Sequence, residues 1–326
     1  MQEEHWSQKK EKASSVRPVK FTIMLVKIFP HWMLALIAFI VGFFYFVFSS
    51  GARRDAKKFQ LAVIDFCKKN NIPCPVKKVN TYRQILSFAI CLIEKIEGWC
   101  GKSDLSHVVF HEDDVVELKQ SLAQGKGAML IGSHLGNMEL FRSLAMEGQT
   151  GVGKMVGVTA IMDMKVTSSF NQAMSELNSK TYMDVVSSDS IGVDTVEVLQ
   201  KRLEDGGLVV IAGDRTSANS PQRNIRLPFL GKDAEFPFGS FFLASILEAP
   251  VYFVFALRVK DITLKSRYDM YVKKSTVDFN CSRKEKKLRI EKLCSEFKCE
   301  LEKYSCRHPY QWYNFFDFWR KSDEED

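Results

Sequence analysis

The stretch GAMLIGSHLGNMELF, residues 127–141, joins a short apolar strand to a helix through a tight polar turn. The run Ala128 to Ile131 is apolar and ends at Gly132, and the helix begins near Asn137. His134 is thereby placed at the C-terminal edge of a strand, beside a helix N-terminus. In an open α/β sheet that edge is where ligands bind. With His134 in the turn and Glu139 in the first helical turn, the chain can fold Glu139 back towards the imidazole. A carboxylate there would hold one ring nitrogen and leave the other free as a base. On a purely structural reading, Glu139 only complements the helix dipole and Asn137 caps the helix. Spacing alone leaves both readings open.

The same alternation continues outward from this stretch. Short apolar runs at Met155 to Thr159, Met183 to Val186, Leu208 to Ala212, Val251 to Arg258 and Tyr268 to Lys273 read as strands. Helical spacing appears at Met138 to Met146, Lys165 to Asn178, Val193 to Leu203, Phe241 to Glu248 and Arg283 to Tyr304. Interleaved strands and helices predict an α/β fold; the expected architecture is a mixed central sheet flanked by helices. Ahead of it, residues 53–125 read as a helical lead-in, interrupted between Asn70 and Pro75.

A second constellation repeats the first. After the strand Leu208 to Ala212, Asp214 and Arg215 stand at its C-terminal edge and a loop rich in Ser, Asn and Pro follows. Arg215, Arg223 and Arg226 form a set able to clamp a phosphate, a carboxylate or an acidic carrier. A structural Asp214–Arg215 pair beside a solvated loop accounts for the same residues. Phe236, Pro237, Phe238 and Gly239 then lead into a largely apolar helix, suited to lining an acyl channel or to the core. Two tempting motifs fail. Ser133 lacks the second glycine of a Gly-x-Ser-x-Gly nucleophile elbow, and the glycines of TGVGK, residues 150–154, lack the spacing and ending of a phosphate loop.

The strongest break in composition lies near the N-terminus. Ile28 to Phe48 carries no Asp, Glu, Lys or Arg and would span about 30 Å as a helix. Lys20 and Lys27 precede it, and Arg53, Arg54, Lys57 and Lys58 follow it at once, a flank that disfavours export and favours a retained anchor over a cleaved signal. The expected organisation is a basic tail over 1–27, an anchor helix over 28–52, and a main domain over 53–326 with its α/β core from 126 onward. Basic residues on both sides leave open whether the helix spans the bilayer or lies in its inner surface.

With 326 residues, 46% hydrophobic and 26% charged, the chain can bury a sizeable core, which excludes a disordered or collagen-like protein. The net charge of +7 is local. Residues 1–60 and 256–290 carry excesses of six and seven, so the remainder is net −6. Such a distribution fits an anionic lipid surface or an acidic partner and no nucleic acid. The eight cysteines contain no Cys-x-x-Cys pair and read as scattered reduced thiols, as in a cytosolic catalytic region; no metal set is expected.

Four blocks carry a resemblance. His134-x4-Glu139, Gly213-Asp214-Arg215, Phe236-Pro237-Phe238-Gly239 and Pro250 before a strand occur in the order of the lysophospholipid acyltransferase superfamily. Within it the chain resembles the bacterial lipid A biosynthesis (late) acyltransferases. The features shared with that branch are FSSGARRDAKKF at 48–59, FLGKDAEFPFG at 229–239 and HPYQWYNFFDFW at 308–319. Phe238 stands where the glycerolipid branch usually has Glu, which argues against a lysophosphatidate acceptor. The Phe315–Phe318 tail departs from the basic ending of true lipid A enzymes and suggests a side branch.

The resemblance implies a glycerolipid acyltransferase-like fold and an O-acyltransferase that moves a fatty acyl chain from acyl carrier protein or coenzyme A to a lipid hydroxyl. It implies catalysis by His134 with Glu139, without an acyl-enzyme; the expected helix N-terminus would offer the backbone amides around Leu135 and Gly136 to the oxyanion. Substrate contacts would come from Asn137, Asp214, Arg215, Arg223, Phe238 and Gly239, with Asp214 fixing Arg215. The run Arg283 to Arg289 is one docking candidate for an acidic carrier. No cofactor beyond the acyl thioester is expected, and the protein would be a monomer on the cytoplasmic side of the bacterial inner membrane. An inactive lipid-binding scaffold and a lipid hydrolase are the rival readings of the same residues.

Overall fold

The computed structural model describes residues 16–102, 105–111, 114–146, 148, 151–163, 183–188, 191–216 and 223–319. The helix expected over Lys165 to Asn178 lies outside the described residues.

Pro30 ends one helix and starts the next, since it fits a first helical turn but not a helix interior. The apolar segment is therefore α1 (Val16–Ile28) followed by α2 (His31–Phe48), and Ser49 separates α2 from α3 (Ser50–Lys69). This corrects the single helix expected over 28–52: its first residue closes α1 and its last three open α3. Next comes α4 (Thr81–Trp99), whose N-cap Asn80 accepts the Arg83 N–H at 2.9 Å. Helix α2 lies antiparallel along α4, from the His31–Glu97 contact at one end to Phe46 against Tyr82 at the other. The small residues Ala35, Ala38 and Gly42 allow that close approach, and Leu34 packs with Leu86, Ile90 and Ile93. The opposite face of α2 exposes Leu36, Ile40, Phe44 and Phe48.

Then follow β1 (Val108–His111), α5 (Asp114–Ala123), β2 (Ala128–Gly132), α6 (Glu139–Met146), β3 (Val158–Met162), β4 (Met183–Ser187), α7 (Val193–Glu204), β5 (Leu208–Ala212), β6 (Asn224–Phe229), β7 (Lys232–Pro237), α8 (Phe238–Leu247), β8 (Val251–Arg258), β9 (Tyr268–Lys274) and α9 (Arg283–Arg307). Seven strands form one sheet in the order β1-β9-β8-β2-β5-β3-β4. The β8–β9 pairing is antiparallel and the other five are parallel, so the sheet is mixed, as expected. Strand β1 precedes residue 126 yet closes one edge of the sheet, so the boundary expected there does not separate two layers. The hairpin β6–β7 occupies a segment read as loop.

Both faces of the sheet are covered, which explains the nearly continuous apolar strands. Along β8, Val251, Phe253, Phe255 and Leu257 join a core with Phe59, Leu199, Phe241 and Phe297 of α3, α7, α8 and α9. The alternate residues Tyr252, Val254 and Ala256 meet Leu118, Leu140 and Leu144 of α5 and α6. The buried Arg258, 1% exposed, is partnered: it bonds the Ser87 and Tyr313 hydroxyls at 2.8 and 2.7 Å and lies beside Glu94. The eight cysteines are unbridged.

Candidate active site

Strands β2 and β5 are parallel neighbours with Gly132 opposite Ala212. Two residues beyond that last pair stand His134 and Asp214, and the register brings them together. Asp214 Oδ1 lies 2.9 Å from His134 Nδ1, and Asp214 Oδ2 accepts the His134 backbone N–H at 2.8 Å. Oδ2 also accepts from Asn314 Nδ2 at 2.8 Å, while Asn314 Oδ1 accepts from Arg215 Nε at 2.8 Å. The carboxylate is buried and satisfied. It fixes the ring with Nδ1 protonated, leaving Nε2 without a protein partner among the described residues.

The turn 133–137 is held as tightly as the ring. Gly136 has φ +78°, and a Cβ there would lie 2.1 Å from the Ala256 carbonyl oxygen, so only glycine fits. Gly136 N–H donates to Gln311 O at 2.9 Å, Asn137 N–H to Ala256 O at 2.8 Å, and Tyr313 N–H to His134 O at 2.9 Å. Residues 311–314 thus form a strap over the turn. Gln311 exchanges bonds with the backbone of Arg258, and Trp312 O accepts from Gln84. The tail beyond continues this anchoring: Phe318 packs on Phe229, Phe236 and Trp312, and Asp317 pairs with Lys58 at 2.7 Å.

Two expectations about this turn change. Glu139 lines the cavity, but its carboxylate takes Arg142 Nε at 3.0 Å, and Arg142 stacks 4.3 Å from the Trp99 ring centroid. The group on His134 Nδ1 is Asp214, because the strand register delivers it there. The amides of Leu135 and Gly136 are also occupied, by Ser133 Oγ and Gln311 O, and neither is free for an oxyanion.

His134 opens into a cavity of about 460 Å³ at the C-terminal edges of β2, β3 and β5. Its lining includes apolar side chains, among them Met138, Val158, Met162, Phe238 and Phe242, and charged ones of both signs: Lys95, Arg142, Arg215 and Arg223 with Glu139 and Asp163. Gly239 also lines it, whereas Asn137 does not: its side chain is buried and its amide meets no partner among the described residues. Arg226 points to Glu235 at 3.0 Å, and the Arg283–Arg289 run lies on the first turns of α9, outside the lining.

Burial first, then the charges of Arg215 and Lys95, push His134 down to about 4 against the opposing pull of Asp214. Burial alone would raise Asp214, but the His134 ring and Arg215 hold it below the usual carboxylate value. Near neutral pH the pair is a neutral imidazole on a carboxylate. Asn314, which joins Asp214 to Arg215, and Lys95 were not singled out by the sequence. Nothing in their spacing marks them.

A histidine held by a buried carboxylate at the C-terminal edge of the sheet, opening into a cavity lined by apolar and charged side chains, marks an α/β protein with its candidate site at that edge. The family description "bacterial lipid A biosynthesis acyltransferase" matches residues 19–321. The chain belongs to that family of lipid acyltransferases. No curated protein gives a significant match.

Proposed function

We propose that this protein is a membrane-associated O-acyltransferase that moves a fatty acyl chain from an acyl thioester, on acyl carrier protein or coenzyme A, to a hydroxyl of a lipid or glycolipid. The observation that carries the reading is the His134–Asp214 pair, with Nε2 unpartnered among the described residues, in a cavity lined by both apolar and charged side chains. The acyl chain lies against the apolar side chains. His134 Nε2 takes the acceptor hydroxyl proton as the oxygen attacks the thioester carbonyl, and Asp214 stabilises the imidazolium formed. The tetrahedral intermediate collapses, the thiolate leaves, and Nε2 returns the proton to it, so no acyl-enzyme forms. Ser133 Oγ, tied to the Leu135 amide, is not placed as a nucleophile. Developing charge on the carbonyl oxygen is met by the cavity's cations, in place of the occupied turn amides.

The exposed apolar face of α2, with basic residues on both flanks, supports attachment to an anionic bilayer, for which the inner membrane with the domain on its cytoplasmic side is the fitting place. Helix α2 is docked on α4 along its length, and α4 is built into the domain. That favours a helix lying in one leaflet over one that crosses.

Lipid mass spectrometry of cells making the native chain, the His134→Ala chain or neither tests the activity. A lipid gaining one acyl chain only with the native protein identifies the acceptor. Equal lipid profiles in all three would leave a lipid-binding scaffold, and release of free fatty acid alone would indicate a hydrolase.

A further inference from the structure

The end of β8 meets both the turn that carries His134 and the strap that covers it. Ala256 O accepts the Asn137 N–H at 2.8 Å, and two residues on the Arg258 backbone holds the Gln311 side chain, donating to Oε1 at 2.8 Å and accepting from Nε2 at 2.7 Å. The Arg258 guanidinium grips the strap a second time. Its Nη2 donates to Tyr313 Oη at 2.7 Å and to Ser87 Oγ at 2.8 Å, and those two hydroxyls lie 2.9 Å apart. Glu94, 3.7 Å from Nη1, supplies the counter-charge. Gln311 and Tyr313 each turn the side chain to Arg258 and the backbone to the turn: Gln311 O takes the Gly136 N–H and Tyr313 N–H reaches His134 O, each at 2.9 Å.

A buried ion pair is seldom more stable than apolar packing of the same volume; what it adds is an arrangement in which its donors must all be met. Resting on the acyltransferase reading, we propose that Arg258 is a positioning residue for His134. It fixes the strap through Gln311 and Tyr313, and the strap in turn fixes where the imidazole stands and how much water reaches it. Neither Arg258 nor Ser87 nor Tyr313 is among the residues lining the cavity, so the effect on His134 passes through the strap. The Tyr313 ring is seated separately, 5.4 Å from Phe88, so loss of its hydroxyl leaves the packing in place. Burial is the first cause of the low His134 value, and a loosened strap that admits water raises it. The charges that face the ring, Asp214, Arg215 and Lys95, are the same with or without the Tyr313 hydroxyl.

The test follows the His134 ring by NMR titration of the full chain in neutral-detergent micelles, with its resonance assigned from His134→Gln. In Tyr313→Phe the value should rise from about 4 towards 6.5. Arg258→Lys keeps the charge beside Glu94 but loses the planar fork, and should shift it likewise; the double variant should go no further than the larger single one. Ser87→Ala, a milder change, should move it the same way and serves if Tyr313→Phe does not fold. The control is Tyr268→Phe, which removes a buried hydroxyl that bonds Glu94 rather than the strap. It should lower the melting temperature and leave the titration at the native value. The proposal is overturned if Tyr313→Phe and Ser87→Ala titrate as native, if the Arg258→Lys and Tyr313→Phe shifts add, or if Tyr268→Phe shifts His134 as far. Thioester turnover is measured separately, with kcat in Tyr313→Phe expected to fall roughly tenfold at little change in KM. Its absence in the native protein would remove the acyltransferase reading while the titration still decided the role of Arg258.

Discussion

Asp214 holds His134 twice, accepting its backbone N–H at 2.8 Å with Oδ2 and meeting its ring Nδ1 at 2.9 Å with Oδ1. One carboxylate therefore sets both where the turn lies and which way the ring faces. Replacing it by an amide keeps the size and loses the preference for a protonated Nδ1. Asp214→Asn should lower acyl transfer by about 10³ to 10⁴ with little change in fold. Glu139→Gln, which acts on Arg142, should cost about 2 kcal/mol of stability and far less rate. Steady-state rates and thermal melts of both variants check this, and a larger rate loss in Glu139→Gln would return the orienting role to Glu139.

The pH dependence has a definite sign. The folded value of His134, about 4, lies below its ordinary 6.5, so between these limits the unfolded chain binds more protons at this residue. The stability contributed by the neutral ring is complete above pH 6.5 and is lost as pH falls towards 4, by up to about 3 kcal/mol. Denaturant unfolding of the native chain and of His134→Gln across that window should differ in slope, the variant being flatter. The acid limb of kcat/KM should lie near 4, well below the ordinary histidine value.

Asn314 is the bridge between the base pair and Arg215, donating to Asp214 and accepting from Arg215, each at 2.8 Å. Asn314→Ala leaves a buried carboxylate oxygen one donor short and removes the acceptor of Arg215 Nε. A stability loss of about 1 to 3 kcal/mol is expected, together with a roughly tenfold fall in kcat, about 1.4 kcal/mol of barrier. Melting and turnover measured on the same preparation test both effects.

The legibility of this site follows from where its residues sit. Ile131-Gly132-Ser133-His134 and Ile211-Ala212-Gly213-Asp214 share one offset from the last strand isoleucine, and that grammar marks both edges in the sequence. The pairing of β2 with β5 is not written there, since it depends on which strands become neighbours across about eighty residues. Spacing therefore points His134 to Glu139, the acid close in sequence, instead of Asp214, the acid close in space. The central strands were readable because burial on both faces makes them continuously apolar. Strand β1 and the β6–β7 hairpin were not: VVFH is only four residues long, and the hairpin carries Arg226, Pro228 and Asp233 among its apolar residues. Lys95 looks like any solvated helix lysine until α4 is placed over the cavity.

The left-handed turn offers a sharp contrast between two glycines. Gly136→Ala adds a Cβ at φ +78° and drives it into the Ala256 carbonyl, which should cost at least about 3 kcal/mol and disorder the His134 turn. Gly101→Ala, at φ +66° but in open space, should cost only about 1 kcal/mol and leave the rate unchanged. Calorimetric melts of the two variants would show whether the close approach, beyond the dihedral angle, is what demands glycine.

The outer face of α2 makes a separate prediction. Ile40 and Phe44 are 61% and 54% exposed and lie one helical turn apart. The double variant Ile40→Asp, Phe44→Asp should lose sedimentation with anionic vesicles while its melting temperature in detergent stays within a degree or two of native. Retained sedimentation would place the lipid contact elsewhere.

The strap at 311–314 also orders events in time. On the ribosome, α1 and α2 emerge first and can meet a bilayer while the rest of the chain is still being translated. The turn that carries His134 cannot be locked until Gln311, Tyr313 and Asn314 have followed, because the bonds to Gly136 N–H, to the His134 carbonyl and to Asp214 all come from them. Attachment therefore precedes competence. On the proposed function, a growing or prematurely terminated chain would reach its surface with His134 still unset, and would spend no thioester before the acceptor lipid is within reach.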